Sequence, residues 1–255
     1  MDMRRIFAMA GITFLQGVRT QTFRIVGLLF IGLFGVAWFL RVLSVGQRAL
    51  MLRSFGLTAM EISALLLVVF GAVASYYRER ETRLQAIHLT YVSAFDHALG
   101  RLLGNCLLVG AYLGLATLVC AGVLWHEDAW HRAFLLGTWS VFLKLAVMCA
   151  FSGLFCTLLS SSIFASLMTV FTYLAAEFAV YPLALEGKAK TMLPIAVSRT
   201  VYHLLPNFDK LDLKYQAIHG ESVGIWFLAG ITLYAMAYLL VIFLPMWRVF
   251  VRHEH

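Results

Sequence analysis

Apolar residues fall in long runs separated by short polar stretches, near 25–40, 57–77, 102–124, 134–158, 163–183 and 223–247. A helix needs about 20 predominantly apolar residues to cross the roughly 30 Å hydrocarbon layer of a bilayer. No water is present there to satisfy backbone N–H and C=O groups, so each run predicts an α-helix. The expected fold is all-α: a polytopic membrane protein with six transmembrane helices, forming a single domain over residues 1–255. Trp226 and Trp247 are 21 positions apart, roughly 31 Å along a helix, and suit opposite interfacial belts.

Residues 1–24 follow a different pattern. At 100° per residue, Ile6, Phe7, Ala10, Phe14 and Val18 share one face, with Arg5, Gln16 and Arg19 opposite. That periodicity predicts an amphipathic helix lying in the headgroup plane before the first span. Arg4 and Arg5 before an apolar stretch imitate a signal peptide, but the stretch is short, interrupted by Gln16 and Arg19, and lacks a small-residue cleavage pattern.

Composition narrows the function classes. Of 255 residues, 62% are apolar and 13% charged, too little polar surface to cover a soluble domain. The net charge of +7 would suggest nucleic acid in a soluble protein; here it fits basic flanks facing membrane lipid, and no nucleic-acid partner is expected. Cys106, Cys120, Cys149 and Cys156 all sit inside apolar runs and read as small buried hydrophobes. Basic residues divide almost evenly between the two sides. Arg4, Arg5, Arg19 and Arg24 before the first span, with Arg78, Arg80, Arg83 and Arg101, favour both termini being cytoplasmic.

Two loops are longer than a helix reversal needs. The segment 78–101 begins Arg78-Glu79-Arg80-Glu81-Thr82-Arg83-Leu84, which offers one or two charged helical turns, then Val92-Ser93, then a helix continuing through Leu99-Gly100-Arg101 into the membrane. Composition alone reads it as a solvated charge run at a span end. A charged helix protruding there could also press into a cleft on a cytosolic partner. The outer segment 184–222 carries the apolar run 192–197, the pair Leu204-Leu205, and breaks at Pro194 and Pro206. It suits short helices dipping partly into the bilayer.

An amphipathic N-terminal helix, six spans and a charged loop after the second resemble the membrane subunit of an ABC transporter of the type-2 exporter class. That family's loop carries a pattern close to E-x-E-x-G-T-L, then P-V-S, then L-G-K. Here Glu79, Glu81, Thr82 and Leu84 fall near the first part, Val92-Ser93 near the second and Leu99-Gly100-Arg101 near the third. The family glycine is missing, and Tyr91 stands where proline is usual. The resemblance implies that 79–90 is a coupling helix, with Glu79, Glu81, Thr82, Arg83 and Leu84 docking on a separate cytosolic ATPase. It implies a dimer with a second copy or a paralogue, in the plasma (bacterial inner) membrane. ATP and Mg would be bound by the ATPase partner, with no cofactor in this chain and no catalysis of its own. It places an outer gate in 184–222, where Leu205, Pro206, Asn207 and Phe208 are the candidates.

Two apparent motifs fail on spacing. Gly187-Lys188-Ala189-Lys190-Thr191 lacks the upstream glycine of a P-loop, because Pro182 stands there. In His126-Glu127-Asp128-Ala129-Trp130-His131 the second histidine comes one residue late for a zinc-protease helix, so no metal site is expected. The third span carries Gly100, Gly104, Gly110 and Gly114, a spacing that lets helix backbones approach closely.

Charges inside spans cost about 2.5–3.5 kcal/mol each on insertion scales, so they must face protein or water. Three are present: Glu61, Lys144 and Glu177, the last aligned with Thr169, Tyr173 and Tyr181 at helical spacing. One expectation is a polar stripe of Thr169, Tyr173 and Glu177, with Glu61, lining a substrate path. The other is a structural ion pair between Lys144 and Glu177, whose depths agree within roughly 6–8 Å. Outside the resemblance, the same residues allow a proton-coupled secondary transporter using Glu61 or Glu177, or a membrane scaffold with no transport.

Overall fold

The computed structural model describes residues 3–40, 47–82, 92–178 and 206–252. Arg83, Leu84 and Leu205, and most of the 184–222 segment, lie outside the described residues. Every regular element among the described residues is helical. In chain order these are α1 (Met3–Arg19), α2 (Gln21–Leu40), α3 (Arg48–Glu81), α4 (Ala94–His126), α5 (Ala133–Leu158) and α6 (Ser162–Glu177). A 3-10 turn (Phe208–Leu211), α7 (Lys214–His219) and α8 (Ile225–Arg252) follow.

Five helices, α2, α3, α4, α5 and α8, are long and apolar enough to cross a bilayer, which makes this a membrane-embedded chain. The expected fifth span begins as α6, whose 16 residues reach about 24 Å, short of the hydrocarbon thickness. Its continuation to residue 183 is not among the described residues.

One boundary moves outward for a physical reason. Helix α3 starts at Arg48 rather than 57, while α4 starts at Ala94, as expected of a helix that follows Val92-Ser93 and continues through Leu99-Gly100-Arg101 into the membrane. Polar residues that hydropathy assigns to loops are held by protein partners instead. Arg53 donates to Ala129 O at 2.8 Å and to Ile218 O at 2.9 Å, tying the start of α3 to the α4–α5 turn and α7. At 34 and 33 residues, α3 and α4 are each about 50 Å long and must project beyond the bilayer.

Helices α3 and α5 form the centre: 67% of each apolar window is buried, against 22% in α2 and α8. Leu28, Ile31 and Phe39 of α2 and Leu233, Leu240 and Val241 of α8 face outward, as lipid contact requires. Within α3 a π-helical turn over Leu67–Ala72 widens the helix, and the Ser166 hydroxyl of α6 donates to Val69 O at 3.3 Å. Such turns leave backbone groups in need of partners.

Helix α1 does not lie alone in the headgroup plane; it packs lengthwise on the first third of α4. A Cβ on Gly100 would stand 2.6 Å from Met9 Cβ and 2.9 Å from Ile6 O, and one on Gly104 2.6 Å from Thr13 Cβ. Only glycine permits this approach. The buried side of α1 is Ile6, Met9, Ala10, Thr13 and Gly17, rotated away from the face of largest apolar residues. Phe7 and Leu15 stay exposed. Small residues meet α4, large apolar ones are left for lipid, and Arg4, Arg5 and Arg19 remain at the surface. Gly110 instead faces the Phe142 ring, and a Cβ on Gly114 would meet nothing within 4 Å.

Candidate functional site

Two constellations of buried charge are set apart along α3, one around Glu61 and the other around Glu79, roughly 27 Å further along the helix. The larger centres on Lys144, roughly 16–17 Å along α5 from Ala133. Its side chain is fully buried, so its ammonium must find partners inside the protein. Three carboxylates from three elements supply them. Asp212, just after the 3-10 turn, is 2.8 Å from Lys144 Nζ, Glu177 at the end of α6 is 3.2 Å away, and Glu61 of α3 is 3.5 Å away. Lys214, the first residue of α7, pairs with the other oxygen of Glu61. Tyr173 donates its hydroxyl to Glu61 Oε1 at 2.8 Å.

The 206–219 segment reaches this depth because its local sequence alternates. Leu211 and Leu213 are buried, and Asp212 between them turns to Lys144 while accepting the Lys214 N–H at 2.8 Å. The Leu213 N–H donates to Ser140 Oγ of α5 at 3.2 Å. The Asn207 side chain accepts from the Asp209 N–H, and the Asn207 N–H donates to the Tyr234 hydroxyl of α8 at 3.0 Å. Phe208 is fully buried, its ring 5.7 Å from that of Tyr173 and 5.9 Å from Lys144 Nζ. Of the expected outer-gate residues, Pro206, Asn207 and Phe208 are thus buried as a plug over the charge cluster.

The polar stripe of α6 faces protein. Thr169 is fully buried and donates to Ala165 O at 2.8 Å, so it lines no open path here. Tyr173 points to Glu61, and Glu177 keeps 31% of its side chain exposed. Lys144 and Glu177 are in contact, but in a group of five rather than a pair. With all five ionised, two cations face three carboxylates and one negative charge is left. Asp212 lies outside the spans. Burial opposes its charge, but the neighbouring Lys144, its hydrogen bond, and Lys214 outweigh that and hold its carboxyl below the ordinary range. The arrangement can clamp α3, α5, α6 and the plug together.

The second constellation roots the loop between α3 and α4. Helix α3 runs continuously to Glu81, so Glu79 belongs to its last turn and not to a separate coupling helix. Glu79 is buried and pairs with Arg101 of α4, whose guanidinium lies 4.6 Å from the centre of the Tyr76 ring. An inward, neutralised carboxylate offers nothing to a docking partner. Glu79 is instead a positioning residue, while Glu81 and Thr82 are exposed. Across the loop, the Ser93 side chain caps α4 by accepting from the Asp96 N–H at 3.2 Å. Three of the residues that resemble the family's loop pattern, Glu79, Ser93 and Arg101, thus hold the two roots of the loop.

Sequence reasoning missed Asp212 and Lys214 as members of the cluster. Their signal was the Leu211-Asp212-Leu213-Lys214 alternation, which reads as half-buried rather than as exposed loop. It also missed that Arg101 partners Glu79. Among the described residues no group of three or more His, Cys, Asp or Glu could hold a metal ion. Searched against protein-family models and against curated proteins, the chain matches none.

Proposed function

We propose that the chain is the transmembrane permease subunit of an ATP-driven ABC transporter, exporting or extracting its substrate. It would sit in the plasma (bacterial inner) membrane with six spans and both termini cytoplasmic. It would form a dimer with a second copy or a paralogue and be driven by a separate cytosolic ATPase that binds ATP and Mg. The observation that carries this reading is the stalk made by α3 and α4. Both helices outrun the bilayer, and the Glu79–Arg101 pair joins them where the connecting loop departs. A brace at that point ties the two helix ends together: force on Glu81 and Thr82 is passed to α3 and α4 rather than absorbed by fraying ends.

The test is charge reversal on the exposed face of the stalk. Glu81→Lys should leave membrane insertion intact and abolish stimulation of the partner's ATP hydrolysis by the membrane subunit. Unchanged stimulation defeats the proposal.

The five-membered charge cluster favours a second reading from another class, a proton-coupled secondary transporter. Its odd negative charge and the partly exposed Glu177 give a proton a place to bind and a way in. Under that reading, uptake into vesicles follows the proton gradient without nucleotide and is lost in Glu177→Gln or Glu61→Gln.

A further inference from the structure

A polar cavity of about 250 Å³ lies where α1 ends, α2 begins and α3 leaves the bundle. Gln16, Arg19 and Thr20 line it from the α1–α2 junction, and Ser75, Arg78 and Glu79 from α3. Thr82 completes the wall. The two threonine hydroxyls are already spent, Thr20 donating to Gly17 O and Thr82 to Arg78 O. Glu79 is neutralised by Arg101. The side chains of Gln16, Arg19, Ser75 and Arg78, by contrast, make no hydrogen bond or ion pair among the described residues. Two guanidinium groups, an amide and a hydroxyl therefore line one cavity with unused donors. Both guanidinium groups are exposed, so water screens their mutual repulsion, and an anion placed between them gains two charge-assisted partners at once.

The neighbourhood says which anion. Arg78 also lines a groove of about 510 Å³ between α3 and α6, whose walls include Val69, Phe70, Val73, Ile163 and Leu167. Next to Gln16, α1 leaves Leu15 exposed for the bilayer. We infer that Arg19 and Arg78, with Gln16 and Ser75, form a binding site for the phosphate of an anionic phospholipid, with an acyl chain lying along the α3–α6 groove. Arginine suits the task because its planar fork of donors matches phosphate oxygens, and basic pockets between spans are where such headgroups bind. A free phosphate shares the headgroup chemistry but has no use for the apolar groove. The inference requires only that the chain is membrane-embedded and does not depend on an ATPase.

The test uses the full chain purified from mixed phosphatidylethanolamine and phosphatidylglycerol membranes, with retained lipid counted by native mass spectrometry. Arg19→Gln/Arg78→Gln should cut retained phosphatidylglycerol by about ten-fold, the scale of lost charge-assisted hydrogen bonds. All four arginines are exposed, but Arg4 and Arg24 lie outside the cavity, so Arg4→Gln/Arg24→Gln removes the same charge and should leave retention unchanged. Ser75→Leu keeps every charge but fills the cavity, and should also lose the lipid, which covers the case in which the double variant fails to fold. Equal retention in Arg19→Gln/Arg78→Gln and wild type overturns the site. So does equal loss in the exposed-arginine control, which would mean a diffuse surface charge effect. Inorganic phosphate added alone should not displace the retained lipid; if it does, the ligand is a free phosphate and the lipid assignment is overturned.

Discussion

Near the middle of α5, Lys144 is held by carboxylates from α3, α6 and the 206–219 plug, with Lys214 and Tyr173 completing the group. At the loop end, Glu79 has Arg101 and little else, and the partners come from consecutive helices. The first arrangement joins elements far apart in sequence and fixes how they pack. The second fixes only the angle and spacing of two neighbouring helices where they leave the bilayer. Under the proposed function both are used: a rigid interior, and a defined handle where α3 and α4 leave it.

Substitutions that separate the two ends should sharpen this contrast. The largest effect is expected for Lys144→Met, which leaves Asp212 and Glu177 without a cation. Breaking a buried pair typically costs about 3–5 kcal/mol. The thermal midpoint in detergent should drop sharply, and the plug should become accessible to labelling at Asp209→Cys. Glu177→Gln should cost much less, because Glu177 is partly exposed and Asp212 and Glu61 still face Lys144. A midpoint for Lys144→Met equal to wild type would mean that the cluster does not hold the helices together.

Next in size is the brace. Arg101→Met and Glu79→Gln should each destabilise the chain, Arg101→Met more, since it strands a buried carboxylate. The double variant should lose less than the sum, by about 0.5–3 kcal/mol of coupling. Additive losses would show that the two side chains are not an energetic pair.

A smaller loss, about 1–3 kcal/mol, is expected for Gly100→Val, which drives a side chain into Ile6 O and Met9. Protease cleavage in α1 should rise while the midpoint of the bundle shifts little. Unchanged protection would contradict the lengthwise packing of α1 on α4.

The smallest effect is a pH dependence at Asp212. Its folded carboxyl titrates below the ordinary value of 3.8, so its contribution to stability is fully present above that value. The contribution is lost as pH falls through the depressed value, where the folded state takes up its proton. The acid-side fall in midpoint should therefore be shallower in Asp212→Asn than in wild type, and equal slopes would remove Asp212 from the account.

Helix character was plain in the chain because apolar runs in a bilayer leave no alternative backbone structure. The depth match of Lys144 and Glu177 was readable from spacing along their runs. Asp212 was not, since a polar residue 68 positions from Lys144 carries no mark of its partner beyond the alternation around it. The start of α3 was hidden for the same reason, since Arg53 reads as a loop charge until its carbonyl partners are in place; for Arg101 the helix was legible and only its Glu79 partner was not. The orientation of α1 was hidden because an amphipathic wheel marks the lipid-facing side, whereas its packing side is set by small residues that fit Gly100 and Gly104.

The central claim is that the braced loop is a lever worked by another chain. It is tested most directly by replacing Thr82 with a photo-reactive residue in the native membrane and identifying what is captured. The account predicts a single separate polypeptide that binds ATP, captured less efficiently when Glu81→Lys is added and lost from no other exposed position in parallel. Capture of lipid alone, or of a chain that binds no nucleotide, would contradict it.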